Sequence, residues 1–403
     1  MRQLFLFIIF ALIFSSCKAS QTPIDVNGPD AYRRLQTELT SFVEKKDARV
    51  GIAVIINGKD TVSVNGSKDF PMMSVFKFPL ALAVAKWLDA KHMSLNDSIA
   101  FGTNALIKDT YSPMLKKHGM GLNKMSFKEL LEWALIESDN NAADILLKRV
   151  GGAAGATTLL KDVAGELDIT IGASEQDMHR DPYTSYLNRS TPLAMAMLFD
   201  RFDTEIKNRS KSFSDIAVML EQCRTGAGRL SAPLSETNAV IAHKTGTGFQ
   251  TSEGRISSVN DCGYVHLPNG TRYTITVFIA DSGYSMAETE KMIADISEIV
   301  FKSLMMQNSV IGEYADRNDG STLTISKSDN GRMKVEIGLN RLTTIDDGVG
   351  ALSDKGLTFS ATDAAGNPIY GLITIEGNTA KLTFTESTWE YLPAVTTFTF
   401  NRK

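Results

Sequence analysis

The chain has 403 residues, of which 22% are charged and 43% hydrophobic, and its formal net charge is −4. This composition is close to the globular average and excludes long disorder, collagen-like repeats and coiled-coil arrays. With 42 basic against 46 acidic residues, the chain lacks the basic surface of a sequence-independent nucleic-acid binder. Three cysteines are too few for a disulfide framework. No stretch reaches the roughly 18 apolar residues of a membrane span.

The first 17 residues have the pattern of an export signal. Arg2 precedes an apolar run over 4–14, and two serines stand directly before Cys17. Plain secretion with cleavage nearby is one interpretation. The cysteine after two small residues instead resembles a bacterial lipoprotein signal, which implies that Cys17 is lipidated and becomes the first mature residue. We favour this second interpretation and expect a periplasmic or cell-envelope protein, tethered to a membrane surface through residues 18–29, a polar linker.

Residues 30–309 are predicted to form one α+β unit. A helix begins near Asp30, and a β-hairpin follows, with its turn at Asn57-Gly58. Helical patterns then run from about 74 to 235 with loops between them. Three strands follow, over 238–246, 256–267 and 272–280, and then a helix over 286–306. Because strands stand at both ends of the unit, we expect them to share one antiparallel sheet, with the terminal helices on one face and the central helices in a second lobe. A cleft between lobes is a common ligand site.

Residues 310–403 are predicted to form a separate antiparallel β-domain. Six short alternating runs recur with Gly, Asn and Asp turns between them, over 321–328, 332–339, 356–363, 368–377, 379–387 and 396–402. A small barrel or a sandwich fits this pattern. The segment contains no His or Cys and no clustered acid–base pair, so we expect no catalytic group in it.

Three short motifs in the α+β unit carry candidate chemistry. Ser74-Val75-Phe76-Lys77 opens a predicted helix, where residues three apart share a face and an amine can activate a serine hydroxyl. Ser138-Asp139-Asn140 lies between two helices and, taken singly, is better explained as a helix cap. Lys244-Thr245-Gly246 ends a strand, where a lysine is usually a solubility device and a glycine permits close backbone approach.

Taken together, the three motifs change this interpretation. They occur in the order helix, inter-helix loop and strand, with 64 residues from 74 to 138 and 106 residues from 138 to 244. Over roughly residues 30–306 the chain resembles the class A serine β-lactamases, of which this motif set is typical. The resemblance implies a two-lobe fold, with an antiparallel sheet flanked by helices and an all-helical lobe. It also implies hydrolysis of penicillins and cephalosporins through an acyl-serine.

A carboxylate that activates water separates β-lactamases from related D,D-peptidases. Glu175 lies 37 residues after Ser138 in a long polar loop, where the resemblance implies the deacylating glutamate; a surface glutamate is the plainer interpretation. The chain departs from the common family pattern, because Gln176 replaces a proline and His179 replaces an asparagine. A subgroup with broad cephalosporin range looks similar here, and His179 is a candidate for positioning water.

The resemblance implies a role for each site residue. Ser74 attacks the lactam carbonyl, and its backbone N–H and that of Thr247 form the oxyanion hole. Lys77 and Glu175 are both candidates for the general base of acylation, and which of them acts stays open. Ser138 relays a proton to the departing nitrogen. Three further residues bind substrate: Asn140 its acylamino group, and Lys244 and Thr245 its carboxylate.

No metal and no other cofactor is implied, since the five histidines form no H-x-x-x-H pair and no phosphate loop is present. We expect a monomer whose partner is a small β-lactam. Cys223 and Cys262 are expected to be free thiols, with a bridge between them as the alternative. Two functional alternatives stay open: a D,D-peptidase acting on peptidoglycan stem peptides, and a non-catalytic cell-surface binding protein.

Overall fold

The computed structural model of the protein describes residues 32–268, 270–328, 332–353, 356–376 and 378–403. The predicted signal segment, Cys17 and the linker 18–29 therefore lie outside the described residues. Within them, no helix is both long enough and apolar enough to cross a membrane.

The first part of the chain alternates helices and strands. The strands are β1 (Arg49–Ile56), β2 (Asp60–Val64), β3 (Phe70–Pro71), β4 (Ser98–Ala100), β5 (Lys124–Ser126), β6 (Ile169–Thr170), β7 (Arg189–Ser190), β8 (Val240–Thr247), β9 (Ile256–His266) and β10 (Arg272–Ser282). The α-helices are α1 (Arg33–Glu44), α2 (Lys77–Ala90), α3 (Pro113–His118), α4 (Phe127–Ile136), α5 (Asn140–Arg149), α6 (Gly152–Ala164), α7 (Glu175–Arg180), α8 (Pro192–Thr204), α9 (Lys211–Glu221) and α10 (Met286–Val310).

Five of these strands form the main antiparallel sheet, in the order β2-β1-β10-β9-β8. The hairpin β1–β2 and the late strands β8–β10 therefore share one sheet, as the positions of the predicted strands required. Every residue of β9 except His266 is buried. A strand buried on both faces must lie between two layers of other elements.

Helices cover the two faces of the sheet differently. The terminal helices α1 and α10 pack on one face, where Leu39 and Ile296 share a core with Ile52 and Val277 of the sheet. The central helices pack on the other face around α2, which is buried on nearly all sides. A helix that is apolar all round belongs to the interior of a lobe rather than to its surface. The α+β arrangement and the second, helical lobe are thus as predicted.

Pro79 lies near the start of α2 and does not break the helix. It is the third residue of the helix. The first four N–H groups of an α-helix have no partner within the helix, so a proline there removes no hydrogen bond.

The C-terminal part of the chain is a closed eight-stranded antiparallel barrel, and not a sandwich. Its strands are β11 (Gly312–Ala315), β12 (Thr322–Lys327), β13 (Met333–Leu339), β14 (Thr343–Ser353), β15 (Gly356–Thr362), β16 (Pro368–Glu376), β17 (Thr379–Glu386) and β18 (Thr397–Arg402). Two of them, β11 and β14, are missing from the prediction. The sequence of β14, TTIDDGVGALS, carries two aspartates and two glycines, which hide its alternation. Apolar side chains such as Val335, Leu382 and Phe400 fill the interior.

Helix α10 connects the two parts and is longer than predicted. It continues four residues beyond 306 to Val310, which belongs to the apolar core of the barrel. The Tyr314 hydroxyl on β11 donates to the backbone oxygen of Val310 at 3.0 Å. The last turn of the helix is thus held by the barrel.

Candidate active site

Ser74 lies in a tight turn that is held from the sheet side. The 3₁₀ turn Met73–Phe76 stands between β3 and α2. The buried amide of Asn260 on β9 donates from Nδ2 to the backbone oxygens of Pro71 at 2.7 Å and Met72 at 3.0 Å. Met73 adopts a φ of 48°, which is unfavourable for a bulky residue unless its surroundings fix the chain. The serine therefore sits on a constrained turn, not on a regular first helical turn.

Gly246 allows strand β8 to lie directly against this turn. A Cβ atom at this position would be 2.5 Å from the backbone oxygen of Met72 and 3.2 Å from the backbone nitrogen of Ser74. Neither atom can move without shifting the main chain, so the close approach needs glycine. It brings the backbone of Ser74 beside the end of β8, whose last residue is Thr247.

The Lys77 ammonium is fully buried and surrounded by oxygen atoms. Nζ donates to the backbone oxygen of Ser138 and to Oδ1 of Asn140, both at 2.7 Å, and lies 2.8 Å from Oε1 of Glu175. A buried charge is tolerated when it is paired in this way. The sequence predicted that the Ser74 hydroxyl and this amine meet, but within the described part of the chain no hydrogen bond joins them. Nζ is turned instead towards the oxygens of Ser138, Asn140 and Glu175.

In the Ser138-Asp139-Asn140 motif, capping and site contacts belong to different residues. Asp139 is the N-cap of α5, and its Oδ1 accepts the N–H of Ala142 at 2.9 Å. Burial raises the pKa of this carboxyl. Ser138 adopts a φ of 59° in the short connection between α4 and α5, and its hydroxyl meets Lys244 on β8. The cap interpretation is thus right for Asp139 alone.

Lys244 lies on the edge strand β8 but is fully buried, so it does not serve solubility. Nζ donates to Ser138 Oγ and to the backbone oxygen of Thr245, both at 2.9 Å. Burial lowers the pKa of Lys244 to about 8. A desolvated cation next to a hydroxyl is well suited to bind an anionic group at neutral pH.

Glu175 is the first residue of α7 and is buried. The long polar loop predicted over 172–192 is therefore wrong in part, since it contains α7, a 3₁₀ turn at Pro182–Leu187 and β7. Ser174 and Asp177 form a capping box that fixes the start of the helix. The short helix therefore holds the Glu175 carboxylate in a fixed position, which a mobile loop could not do.

The Glu175 carboxylate keeps one oxygen available for a further hydrogen bond. Oε1 is close to the Lys77 ammonium, but the angle is not that of a hydrogen bond, and in the described residues no other donor reaches it. Buried carboxylate oxygens normally have a donor. Oε1 is held by its ion pair with Lys77, and Glu175 lines the pocket, where its second carboxylate oxygen can take a proton from a water molecule.

His179 lies one helical turn after Glu175 but remains exposed at the pocket rim. Among the described residues no hydrogen bond connects the two side chains.

The site residues open into one pocket of about 600 Å³. Its lining includes Ser74, Ser138, Asn140, Glu175, His179, Thr245 and Thr247, together with the apolar groups Met73, Tyr111, Met178, Pro182 and Phe249. Four distant segments of the chain thus meet at one cleft. In the described residues no group of three or more His, Cys, Asp or Glu side chains is arranged to hold a metal ion.

Comparison with known proteins gives a consistent result. The sequence model of the Beta-lactamase enzyme family matches residues 34–304. The chain belongs to this family. A β-lactamase of Phocaeicola vulgatus is 35% identical over 305 residues, which cover 75% of this chain and 94% of the relative. The β-lactamase VEB-1 of Pseudomonas aeruginosa is 36% identical over 270 residues, covering 66% and 89%. The crystal structure of the extended-spectrum β-lactamase TLA-1 is similar with a TM-score of 0.65 and 32% identity, covering 68% of this chain and 99% of that one.

The predicted class A β-lactamase family, fold and enzyme class are thereby confirmed. The family match ends at residue 304, inside α10 and before the barrel begins. The β-lactamase thus carries its barrel beyond the matched region.

Two charged side chains of the β-lactamase site were missed by the sequence analysis. Asp144 on α5 accepts the N–H groups of Glu175 at 2.7 Å and Gln176 at 2.8 Å, so it fixes the start of α7. Burial raises the pKa of Asp144 to about 6. An acidic residue on the otherwise apolar stretch NAADILL was the available signal.

Arg229 is the second missed residue, and it lies beneath the end of β8. It is buried and donates to the backbone oxygen of Gly246 at 3.1 Å and to Thr247 Oγ1 at 2.7 Å. Glu290 on α10 accepts from its Nη2 at 2.9 Å and from its Nε at 3.1 Å. The sequence RTGAGRL gave no periodic signal for this burial.

Proposed function

We propose that this β-lactamase opens the lactam ring by attack of Ser74 and releases the product through water activated by Glu175. The observation that carries the proposal is the buried ion pair of Lys77 with Glu175, which lies at the pocket that Ser74 and Ser138 also line.

For acylation, Glu175 takes the Ser74 hydroxyl proton, or Lys77 takes it after passing one of its own protons to Glu175, as the serine oxygen bonds to the lactam carbonyl carbon. The developing oxyanion is stabilised by the backbone N–H groups of Ser74 and Thr247, which the glycine at 246 allows to approach. One such donor contributes about 3 to 4 kcal/mol in comparable enzymes. The ring nitrogen then leaves with a proton relayed by Ser138, which receives a hydrogen bond from Lys244.

For substrate binding, two cationic side chains lie on the β8 side of the pocket. Lys244 and Arg229 are both buried there, and Arg229, Thr245 and Thr247 line the pocket. A carboxylate on the substrate would replace water around these cations. Across the pocket, Asn140 Nδ2 donates to Thr110 Oγ1 at 2.9 Å. This hydrogen bond holds the Asn140 side chain where it can contact the acylamino group of the substrate.

For deacylation, Glu175 takes a proton from water as that water attacks the acyl-serine. Its place in the pocket lining and the capped first turn of α7 support this assignment. His179 would act from the rim by orienting water, without contact to Glu175.

Hydrolysis of a chromogenic cephalosporin by the purified protein tests the assignment of the nucleophile. Ser74→Ala should reduce turnover to background, while Ser235→Ala, the same change at an exposed serine, should leave it unchanged. Equal turnover by both variants would refute the role of Ser74.

We also propose that the enzyme is exported and anchored by lipid on Cys17, and that it acts as a monomer. The apolar run and the position of Cys17 support the export and the lipid anchor. Cells fed a labelled fatty acid should incorporate the label into the wild type, and Cys17→Ser should lose both the label and recovery in the membrane fraction. Label that persists in this variant would contradict the anchor.

A further inference from the structure

A cluster of three reactive side chains lies outside the catalytic residues, between β8 and the end of α9. His243 on β8 and Asp261 on β9 are both buried, and the His243 Nδ1 atom lies 2.9 and 3.1 Å from the two carboxylate oxygens of Asp261. The charge of His243 acts on the Cys223 thiol, two residues after α9, whose Sγ lies 3.4 Å from Thr225 Oγ1. Cys223 remains partly exposed, whereas Cys262 is completely buried.

The arrangement favours a thiolate at Cys223. Burial opposes the imidazolium form of His243, but the charge and hydrogen bond of Asp261 outweigh it and raise the pKa of His243. Burial would also raise the pKa of the Cys223 thiol, but the interaction with the cationic His243, with a contribution from Lys244, lowers it overall. The thiolate is the nucleophilic form of cysteine, and a neighbouring cationic histidine activates it.

The Cys223 segment is packed directly on the substrate-binding end of β8. The Cys223 Sγ atom lies 3.4 Å from Thr225 Oγ1, and the Thr225 hydroxyl is hydrogen-bonded to that of Thr245. A Cβ atom on Gly226 would be 2.6 Å from Thr245 Cγ2, so the segment has no room to move towards the strand. Thr225 and Thr245 both line the pocket. A group attached to Sγ must therefore displace this segment or Thr225 itself.

We propose that Cys223 is a modification site at which small disulfides form a mixed disulfide, and that this adduct slows β-lactam turnover through Thr225 and Thr245. The effect on turnover rests on the proposed substrate-binding role of Thr245, whereas formation of the adduct does not. Cys223 reacts as the thiolate that the cationic His243 stabilises, and its sulfur attacks one sulfur of the reagent. The reagent's S–S bond breaks, a new S–S bond forms, and the electron pair leaves on the released thiolate.

The test uses the full chain with Cys17→Ser, so that Cys223 and Cys262 are its two thiols, and dithiobis(nitrobenzoate) as the disulfide. One coloured thiolate should be released per native chain, with the added mass on the peptide that contains Cys223. The rate for an ordinary thiol falls on the order of 50-fold from pH 8 to pH 6, because its thiolate fraction falls. We expect a fall of less than about tenfold for Cys223, since the cationic His243 keeps it ionised.

Turnover of a chromogenic cephalosporin should fall at least about fivefold in the modified protein, since loss of one binding contact has effects of this size, and dithiothreitol should restore it. The matched control adds Cys223→Ser, which should keep its initial turnover and be insensitive to the reagent. No adduct on Cys223, or the pH dependence of an ordinary thiol, would overturn the reactive site. An adduct that leaves turnover unchanged, or equal inhibition of Cys223→Ser, would overturn the coupling. A protein that never hydrolyses the cephalosporin would refute the proposed function instead, and the adduct measurement would still stand.

Discussion

Replacement of Glu175 by glutamine should separate formation of the acyl-serine from its hydrolysis. The Glu175 carboxylate is buried, pairs with Lys77 through Oε1 and lines the pocket, so it is the group best placed to take a proton from water. Glutamine keeps the size of the side chain and removes its basicity. The Lys77 ammonium retains two acceptors, the Ser138 backbone oxygen and Asn140 Oδ1, so the site should remain folded.

The magnitude follows from loss of a general base. Such a base contributes about 10²- to 10⁴-fold, which corresponds to about 3 to 5 kcal/mol of the deacylation barrier. Acylation should decrease less if Lys77 can act as base alone. A penicillin added to Glu175→Gln should therefore give a stable increase in intact mass equal to one penicillin, with steady-state turnover reduced by the same factor.

The matched control is Glu166→Gln, the same change at a carboxylate whose side chain is 80% exposed. It should show normal turnover and no trapped adduct. Normal turnover in Glu175→Gln would refute the assignment of the deacylating base. Loss of acylation as well as deacylation would show instead that Glu175 is needed for both steps.

Three further predictions concern other residues of the active site. Gly246→Ala should lower kcat/KM by at least about 100-fold, because its Cβ would lie 2.5 Å from the backbone oxygen of Met72. Gly121→Ala, whose Cβ would have no atom within 4 Å, should keep the kcat/KM of the wild type. Equal kcat/KM values for the two variants would contradict the close approach of β8 to the Ser74 turn. The kcat/KM for an anionic penicillin should fall about tenfold per pH unit above about 8, since the Lys244 ammonium loses its proton there, and a flat profile to pH 10 would exclude its role. Asp144→Asn should remove a pH-dependent loss of stability. Because the pKa of Asp144 is raised to about 6 in the folded protein, its carboxyl stabilises the wild type fully only below about pH 4. As the pH rises through 6, the unfolding free energy of the wild type should fall by up to roughly 3 kcal/mol. Identical changes in unfolding free energy between pH 4 and 7 for both proteins would contradict this.

Periodicity predicted the sheet and the helical lobe, and the motif order with the resemblance that it indicates predicted the residues that meet at the pocket. The hairpin and the late strands are strongly β-branched, and their separation along the chain left one shared sheet as the simplest arrangement. What the sequence could not provide was the state of each charged group. Lys244 on an edge strand suggested exposure, but the elements packed around β8 bury it completely.

Asp144 and Arg229 show why the remaining part of the site was missed. Each has partners far away in the sequence: Asp144 meets a helix start 31 residues later, and Arg229 meets Glu290 after 61 residues. No local pattern indicates such a pairing, because it depends on how α5, α7, β8 and α10 pack.

The same pairing indicates how the barrel could affect catalysis. Glu290 lies in the second turn of α10 and holds Arg229 under the pocket, whereas the last residue of that helix is buried in the barrel. A helix transmits a displacement along its axis because its backbone hydrogen bonds resist compression. Loosening the barrel by Phe400→Ala, which removes a fully buried ring and should cost about 3 to 5 kcal/mol of barrel stability, therefore tests this connection. If α10 couples the two parts, KM for an anionic penicillin should rise by about two- to fivefold, as expected for a weakened contact to Arg229, while kcat stays within twofold. Unchanged KM in a variant whose barrel unfolds at lower temperature would show that the active site is independent of the barrel.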